Sequence, residues 1–293
     1  MTLVRFLIAL SIALPAAASA ARAADGKIEV VAVENFYGNV AQQIGGDQVS
    51  VVSILNNPDQ DPHLFEVSPA VIREVAAAQV VIYNGAGYDP WVEQVLSATG
   101  KRGRVAIMAA DLMNRKNGDN PHLWYDPATM PAVARALATA FAAADPAHKD
   151  HYTARLATFL ASLTPLNDKI AAIRGKYAGT AVTATEPVFG DMAAALKLTM
   201  TNDRFQLAIM NDTEPSARDV AAFERDLKDR KVRVLFYNKQ AQTRLVEHLI
   251  ELARASKIPV VGITETEPAG SSYQEWMLTQ LDETQRALAG PSS

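Results

Sequence analysis

Short, near-continuous apolar runs alternate with helical stretches, and this rhythm occurs twice along the chain. It constrains the fold more than any other feature of the sequence. The first set comprises Ile28–Val33, Val49–Leu55, Gln79–Tyr83 and Val105–Ile107, with a helical stretch at Pro69–Ala78. The second begins after residue 180 with Ala181–Thr185, Arg233–Tyr237 and Pro259–Thr264, with a helical stretch around Asp191–Leu198. β-Branched runs without polar alternation are strands buried on both faces, and their alternation with helices places them in parallel sheets. Between the sets, Leu156, Phe159, Leu160, Leu163, Leu166, Ile170 and Ile173 recur at helical spacing. The stretch from Pro146 to Tyr177 would extend about 45 Å as one helix, at about 1.5 Å per residue. Pro165 inside it predicts a kink or a split. The expected architecture is α/β: two lobes, each with a mainly parallel sheet flanked by helices, joined by one long connecting helix.

The N-terminus supplies the first boundary. Arg5 precedes the apolar run Phe6–Leu14, and Ala18-Ser19-Ala20 and Ala21-Arg22-Ala23 both fit a small-x-small cleavage site. The run is shorter than the roughly 20 residues a spanning helix needs. Residues 1–23 therefore read as a secretory signal peptide, 24–145 as the N-terminal lobe, 146–177 as the linker helix and 178–293 as the C-terminal lobe. This predicts a periplasmic protein without stable membrane insertion. The chain contains no cysteine. That excludes disulfide scaffolds, thiolate metal sites, iron–sulfur clusters, cysteine nucleophiles and a thiol for lipid attachment. A net charge of −4 argues against a nucleic-acid partner.

Any metal site must then use imidazole and oxygen donors, and there are five histidines to weigh. His148 and His151 lie amid Asp145, Lys149 and Asp150, which reads as a solvated face. His248 sits in the helical stretch Leu245–Ile250 and reads as a surface or boundary residue. His63 and His122 differ, because each follows a proline and precedes a leucine in a loop of the first lobe. In the second half, Glu186 directly follows Ala181–Thr185, and Glu265 directly follows Val260–Thr264. Open parallel sheets bind ligands beyond the carboxyl ends of their strands. Glu34, Asp191 and Glu267 are competing carboxylates nearby.

These residues fall in segments that carry a family resemblance. They are Asp61-Pro62-His63-Leu64-Phe65-Glu66-Val67-Ser68-Pro69, Tyr83-Asn84-Gly85, Asn120-Pro121-His122-Leu123-Trp124-Tyr125-Asp126-Pro127, Thr213-Glu214-Pro215-Ser216, and Thr264-Glu265-Thr266 before a Tyr273-containing helix. In that order the chain resembles the zinc- and manganese-binding solute receptors of bacterial metal ABC transporters. The resemblance implies two α/β lobes linked by a long helix, with one metal between them. It implies His63 and His122 as the first two ligands, Glu186 as the third and Glu265 as the fourth. Glu186 matches the manganese and iron variant of the third position more than the zinc variant. Glu265 departs from the family's usual aspartate, and the histidine-rich loop of many zinc receptors is missing from the short Met113–Asn120 segment.

Two neutral imidazoles and two carboxylates would balance a dication, a set that suits Mn²⁺, Fe²⁺ or Zn²⁺. Four-coordinate geometry would mark zinc, and bidentate carboxylates would fit manganese. The expected cargo is one divalent transition metal ion, Mn²⁺ or Zn²⁺, with Fe²⁺ a further candidate. The expected partner is the membrane permease of a metal ABC transporter, with the receptor itself a monomer. The alternative is a secreted metal-dependent hydrolase using the same ligands. Neither a His-Glu-x-x-His nor a Gly-x-Ser-x-Gly motif is present. Glu66 reads as a cap for the helix starting near Ser68-Pro69 rather than as a general base, so the expectation is a receptor and not an enzyme.

Overall fold

The computed structural model describes residues 26–58, 62, 65–100 and 102–290. The expected signal peptide, residues 1–23, and the candidate ligand His63 lie outside the described residues.

The first half runs β1 (Ile28–Glu34), α1 (Asn35–Gly45), β2 (Val49–Leu55), α2 (Pro69–Ala77), β3 (Val80–Tyr83), α3 (Trp91–Ala98), β4 (Val105–Met108) and α4 (Ala109–Leu112). Helices α5 (Thr129–Ala144), α6 (Lys149–Ser162) and α7 (Thr164–Tyr177) lead to the second half. There follow β5 (Ala181–Ala184), α8 (Gly190–Ala195), β6 (Thr199–Thr201), α9 (Asp203–Met210), α10 (Ala217–Lys228), β7 (Leu235–Asn238), α11 (Arg244–Ala255), β8 (Val260–Ile263) and α12 (Tyr273–Ala289). The strands form two sheets, β2-β1-β3-β4 and β6-β5-β7-β8. Every pairing in both is parallel. All strands but β6 were legible as apolar runs; β6 is only Thr-Met-Thr and partly exposed. Each sheet changes its direction of winding between its first and third strands. That switch point opens a crevice beyond the strand ends.

Strand alternation sorts the cores. Val30 and Ala32 of β1 enter a large core with α1, α5 and α12, and Val31 and Val33 enter a separate one with α2 and α3 residues. The large core continues into the second half through Val182, Ala184, Phe236 and Ile263. The other face of that sheet buries Leu235 with Phe205, Phe223, Val246 and Leu249. The connector is two helices rather than one, meeting at Leu163. Pro165 has no amide hydrogen to donate and sits in the first turn of α7, where none is needed. Leu163 keeps helical torsions, φ −82° and ψ −7°, so the backbone passes through without an extended residue.

Two caps fix where helices begin. Ser68 Oγ accepts from Val71 N at 3.3 Å and caps α2, so Ser68 does what the sequence reading assigned to Glu66, which is exposed. The serine wins because it directly precedes Pro69 at the first helical position. Ser272 and Glu275 form a reciprocal capping box at α12. That helix packs on α1 and α7, and so ties the second half back to the first.

Side chains complete the joint. Tyr125 Oη donates to Thr264 O at 2.9 Å, and Tyr273 Oη donates to Trp124 O at 2.9 Å. Asn35 Nδ2 donates to Glu267 O at 2.7 Å, while Glu267 N donates to Asn35 Oδ1 at 3.0 Å.

Candidate metal centre

His122 enters the site from the first half. Pro121 precedes it, and it caps a single 3₁₀ turn, Leu123–Tyr125, whose side chains are fully buried. The Trp124 ring meets the imidazole edge-on with centroids 5.4 Å apart, and fixes the ring plane. Asn120 Oδ1 lies 2.7 Å from His122 Nδ1, and Asn120 Nδ2 donates to Pro187 O at 2.9 Å. The amide oxygen can only accept, so the network assigns a proton to Nδ1 and leaves Nε2 as the nitrogen turned toward the second half. This is the arrangement a metal-binding histidine requires.

The second half supplies carboxylates from two strand ends of one sheet. Glu186 follows β5 in extended conformation, with φ −144° and ψ 158°. Glu265 lies just beyond β8 and is fully buried. Its backbone N donates to Gln240 Oε1 at 2.6 Å, and its Oε2 accepts from Tyr88 Oη at 3.0 Å. That same Oε2 lies 3.3 Å from His122 Nε2. Asn238, the last residue of β7, stands between the two glutamates. Its Nδ2 donates to Glu186 Oε2 at 2.5 Å and to Glu265 Oε1 at 2.6 Å.

His122, Glu186 and Glu265 are thus brought into one buried network; His63 lies outside the described residues. Among the described residues, no three His, Asp or Glu side chains stand close enough together to hold an ion as they are placed. Glu186 reaches Glu265 through the Asn238 amide. The donor set still fits a divalent transition metal: a preset imidazole nitrogen and two carboxylates, sequestered from water. Tyr88, Asn120, Asn238 and Gln240 were not read from the sequence as site residues. Asn238 carried the same signal as the glutamates, because it follows the apolar run Arg233–Tyr237 at a strand end.

The competing carboxylates stand in other surroundings. Glu34 and Asp89 are buried together; burial pushes Asp89 up to about 6 and Glu34 well above the usual carboxylate range. Asp89 accepts from Asn84 N at 2.7 Å and Gly85 N at 2.8 Å, bracing the turn after β3 where Gly85 has φ +74°. Asp191 pairs with Arg115 at 3.0 Å, although burial raises its carboxyl above the ordinary value. Burial likewise pushes Glu267 up to about 8. The remaining histidines lie elsewhere: His148 on Asp145, His248 on Glu224, and His151 on Gly45 O.

Two parallel α/β halves, with strand ends facing across a buried imidazole–carboxylate contact, define a two-lobed solute-binding protein. The chain belongs to the zinc-uptake complex component A periplasmic (ZnuA) family, whose profile matches residues 30–287. It is therefore a solute-binding protein of the metal ABC transporter class and not an enzyme. A manganese ABC transporter substrate-binding lipoprotein, PsaA of Streptococcus mitis, is 24% identical over 296 residues, which cover 90% of both chains. The periplasmic zinc-binding protein TroA of Treponema pallidum superposes with a TM-score of 0.76 at 18% identity, over 90% of this chain and 99% of that one. A Mn-bound mutant of the periplasmic metal-binding protein from Candidatus Liberibacter asiaticus gives a TM-score of 0.71 at 17% identity, over 89% of this chain and 98% of that one. At these identities the two superpositions speak to the fold alone. Among the described residues, no helix is long and apolar enough to cross a membrane.

Proposed function

We propose that this protein captures one divalent transition metal ion, Zn²⁺ or Mn²⁺, between its lobes and delivers it as a monomer to the membrane permease of an ABC transporter. The observation that carries this reading is the His122–Glu265 contact, in which an imidazole of one half meets a carboxylate of the other at 3.3 Å inside the protein. Glu186 belongs to the same network through Asn238. The ligand set we propose is His122, Glu186 and Glu265, with His63 added on the strength of the sequence pattern. A cation drawn to both lobes would hold them together. Release would follow a modest lobe shift when the receptor docks, because the paired helices α6 and α7 resist a wide hinge. Relatives described as binding manganese or zinc support this class of cargo.

The test is elemental analysis of protein exported to the periplasm of its own host and purified without chelators, followed by calorimetric titration. One equivalent of manganese, iron or zinc is expected. Zinc competes ahead of manganese for almost any such donor set, so one equivalent of manganese would be the more informative result. A metal-free protein that also fails to bind any added divalent ion would overturn the reading.

A further inference from the structure

Asn238 is 2% exposed and tethered on three sides. Its backbone N donates to Thr185 Oγ1 at 3.3 Å, and its Oδ1 accepts from Gln240 N at 2.9 Å. The second bond fixes which way the amide faces. Turned over, the NH₂ group would meet the Gln240 N–H and the carbonyl oxygen would meet two carboxylates. Held this way, the two N–H bonds go to two different glutamates, at 2.5 Å to Glu186 Oε2 and 2.6 Å to Glu265 Oε1. Each carboxylate gives a lone pair of one oxygen to the amide, while Glu265 Oε2, the oxygen turned to His122, also accepts from Tyr88 Oη at 3.0 Å. Turning both oxygens squarely onto a cation would rotate each carboxylate against its buried, charge-assisted hydrogen bond to the amide, so that bond biases each group toward presenting one oxygen.

We propose that Asn238 is a positioning residue that holds Glu186 and Glu265 to one oxygen each toward the metal, and so sets the preference between Zn²⁺ and Mn²⁺. The inference rests on the metal-binding role proposed above. One oxygen per carboxylate keeps the coordination number low, as zinc prefers; two per carboxylate would supply the larger oxygen-rich shell that suits manganese. The residue that biases each group toward one oxygen therefore discriminates between ions without touching either. A purely structural asparagine would behave differently, because its loss would weaken both ions alike.

The experiment titrates chelator-treated protein with ZnCl₂ and MnCl₂ in competition with a chromogenic chelator, for the wild type and for Asn238→Ala. The ratio of Kd for Mn²⁺ to Kd for Zn²⁺ is expected to fall roughly ten- to hundredfold in the variant, the usual reach of residues that orient metal ligands. CoCl₂ gives a second readout: intense visible bands of four-coordinate cobalt in the wild type, replaced by weak bands of higher coordination in the variant. Asn238→Asp keeps the volume and the acceptor for Gln240 N, and covers the case in which the alanine protein fails to fold. It is expected to move the ratio the same way, because a third carboxylate repels the other two from their held orientation. Unchanged ratios and cobalt spectra in whichever variants fold, with a wild type that binds both ions, overturn the inference and leave the receptor function standing. A wild type that binds no added ion overturns the function itself.

Discussion

His122 Nε2 and Glu265 Oε2 lie 3.3 Å apart, although one residue follows a loop of the first half and the other a strand of the second. The contact is buried on both sides, so each group has exchanged water for the other and for its polar neighbours. Removing the imidazole should abolish tight metal binding while the two sheets stay intact. For His122→Ala, calorimetry is expected to show no saturable zinc isotherm, and far-UV circular dichroism should match the wild type. A variant that retains wild-type affinity would show that the imidazole is not a ligand.

Asn120 stands directly behind the His122 imidazole. Its Oδ1 lies 2.7 Å from His122 Nδ1, and its own amide is anchored on Pro187 O. Asn120→Ala should leave the imidazole in place but free to rotate and to change tautomer. Affinity for zinc is expected to fall by roughly 10–100-fold, measured by chelator competition. An affinity within about twofold of wild type would mean that Trp124 packing alone orients the ring.

Tyr125 is fully buried and spans the joint between halves through Thr264 O at 2.9 Å. Tyr125→Phe keeps the ring contacts and deletes the donor, leaving the part-buried Thr264 carbonyl short of a partner. The expected loss is about 1–3 kcal/mol, read as a lowered melting temperature, at about 2–4 °C per kcal/mol for a chain of this size. No change in melting would place a water molecule or a neighbouring group as the replacement donor.

The Glu34–Asp89 pair gives stability an unusual dependence on pH. Both carboxyls bind protons more tightly folded than unfolded, since burial raises Asp89 to about 6 and Glu34 well above its ordinary value. Their contribution is therefore fully present below the unfolded pKa values of about 4, and is lost as pH rises through about 6 and beyond. Wild-type melting temperature, measured without metal, should decline from pH 5 to pH 8 more steeply than that of Glu34→Gln, which mimics the protonated acid. The variant should also melt higher than wild type at pH 8. Parallel curves for the two proteins would sink this account.

Much of this organisation was legible in the chain because strands buried on both faces leave a strong local signal. Runs such as Val80–Tyr83 and Val260–Ile263 are apolar at every position or nearly so, and parallel pairing follows from the helices between them. The strand-end rule singled out Glu186 and Glu265, the proline-flanked loop singled out His122, and the fold brings the three into one buried network. β6 was missed because three residues reading Thr-Met-Thr carry no such signal. A kink or a split was expected at Pro165 from its missing amide hydrogen, and the single connecting helix gives way to two that meet at Leu163. Glu66 was read as a cap for the helix starting near Ser68-Pro69, but the serine beside the proline takes that place.

Local patterning was enough to dictate the two-lobed parallel architecture, the exclusion of thiol chemistry, and the small set of residues able to ligate a metal. These are consequences of residue spacing and side-chain chemistry, which a linear chain displays in full. It took the packed fold to stand Asn238 between Glu186 and Glu265, to aim Tyr88 at Glu265, and to make Asn120 rather than a carboxylate the group that presets the imidazole. Asparagine and tyrosine occur throughout any chain, and nothing in their local context marks a role. They acquire one only when distant strand ends converge in a dry interior, where each buried oxygen needs a donor and the geometry dictates which residue supplies it.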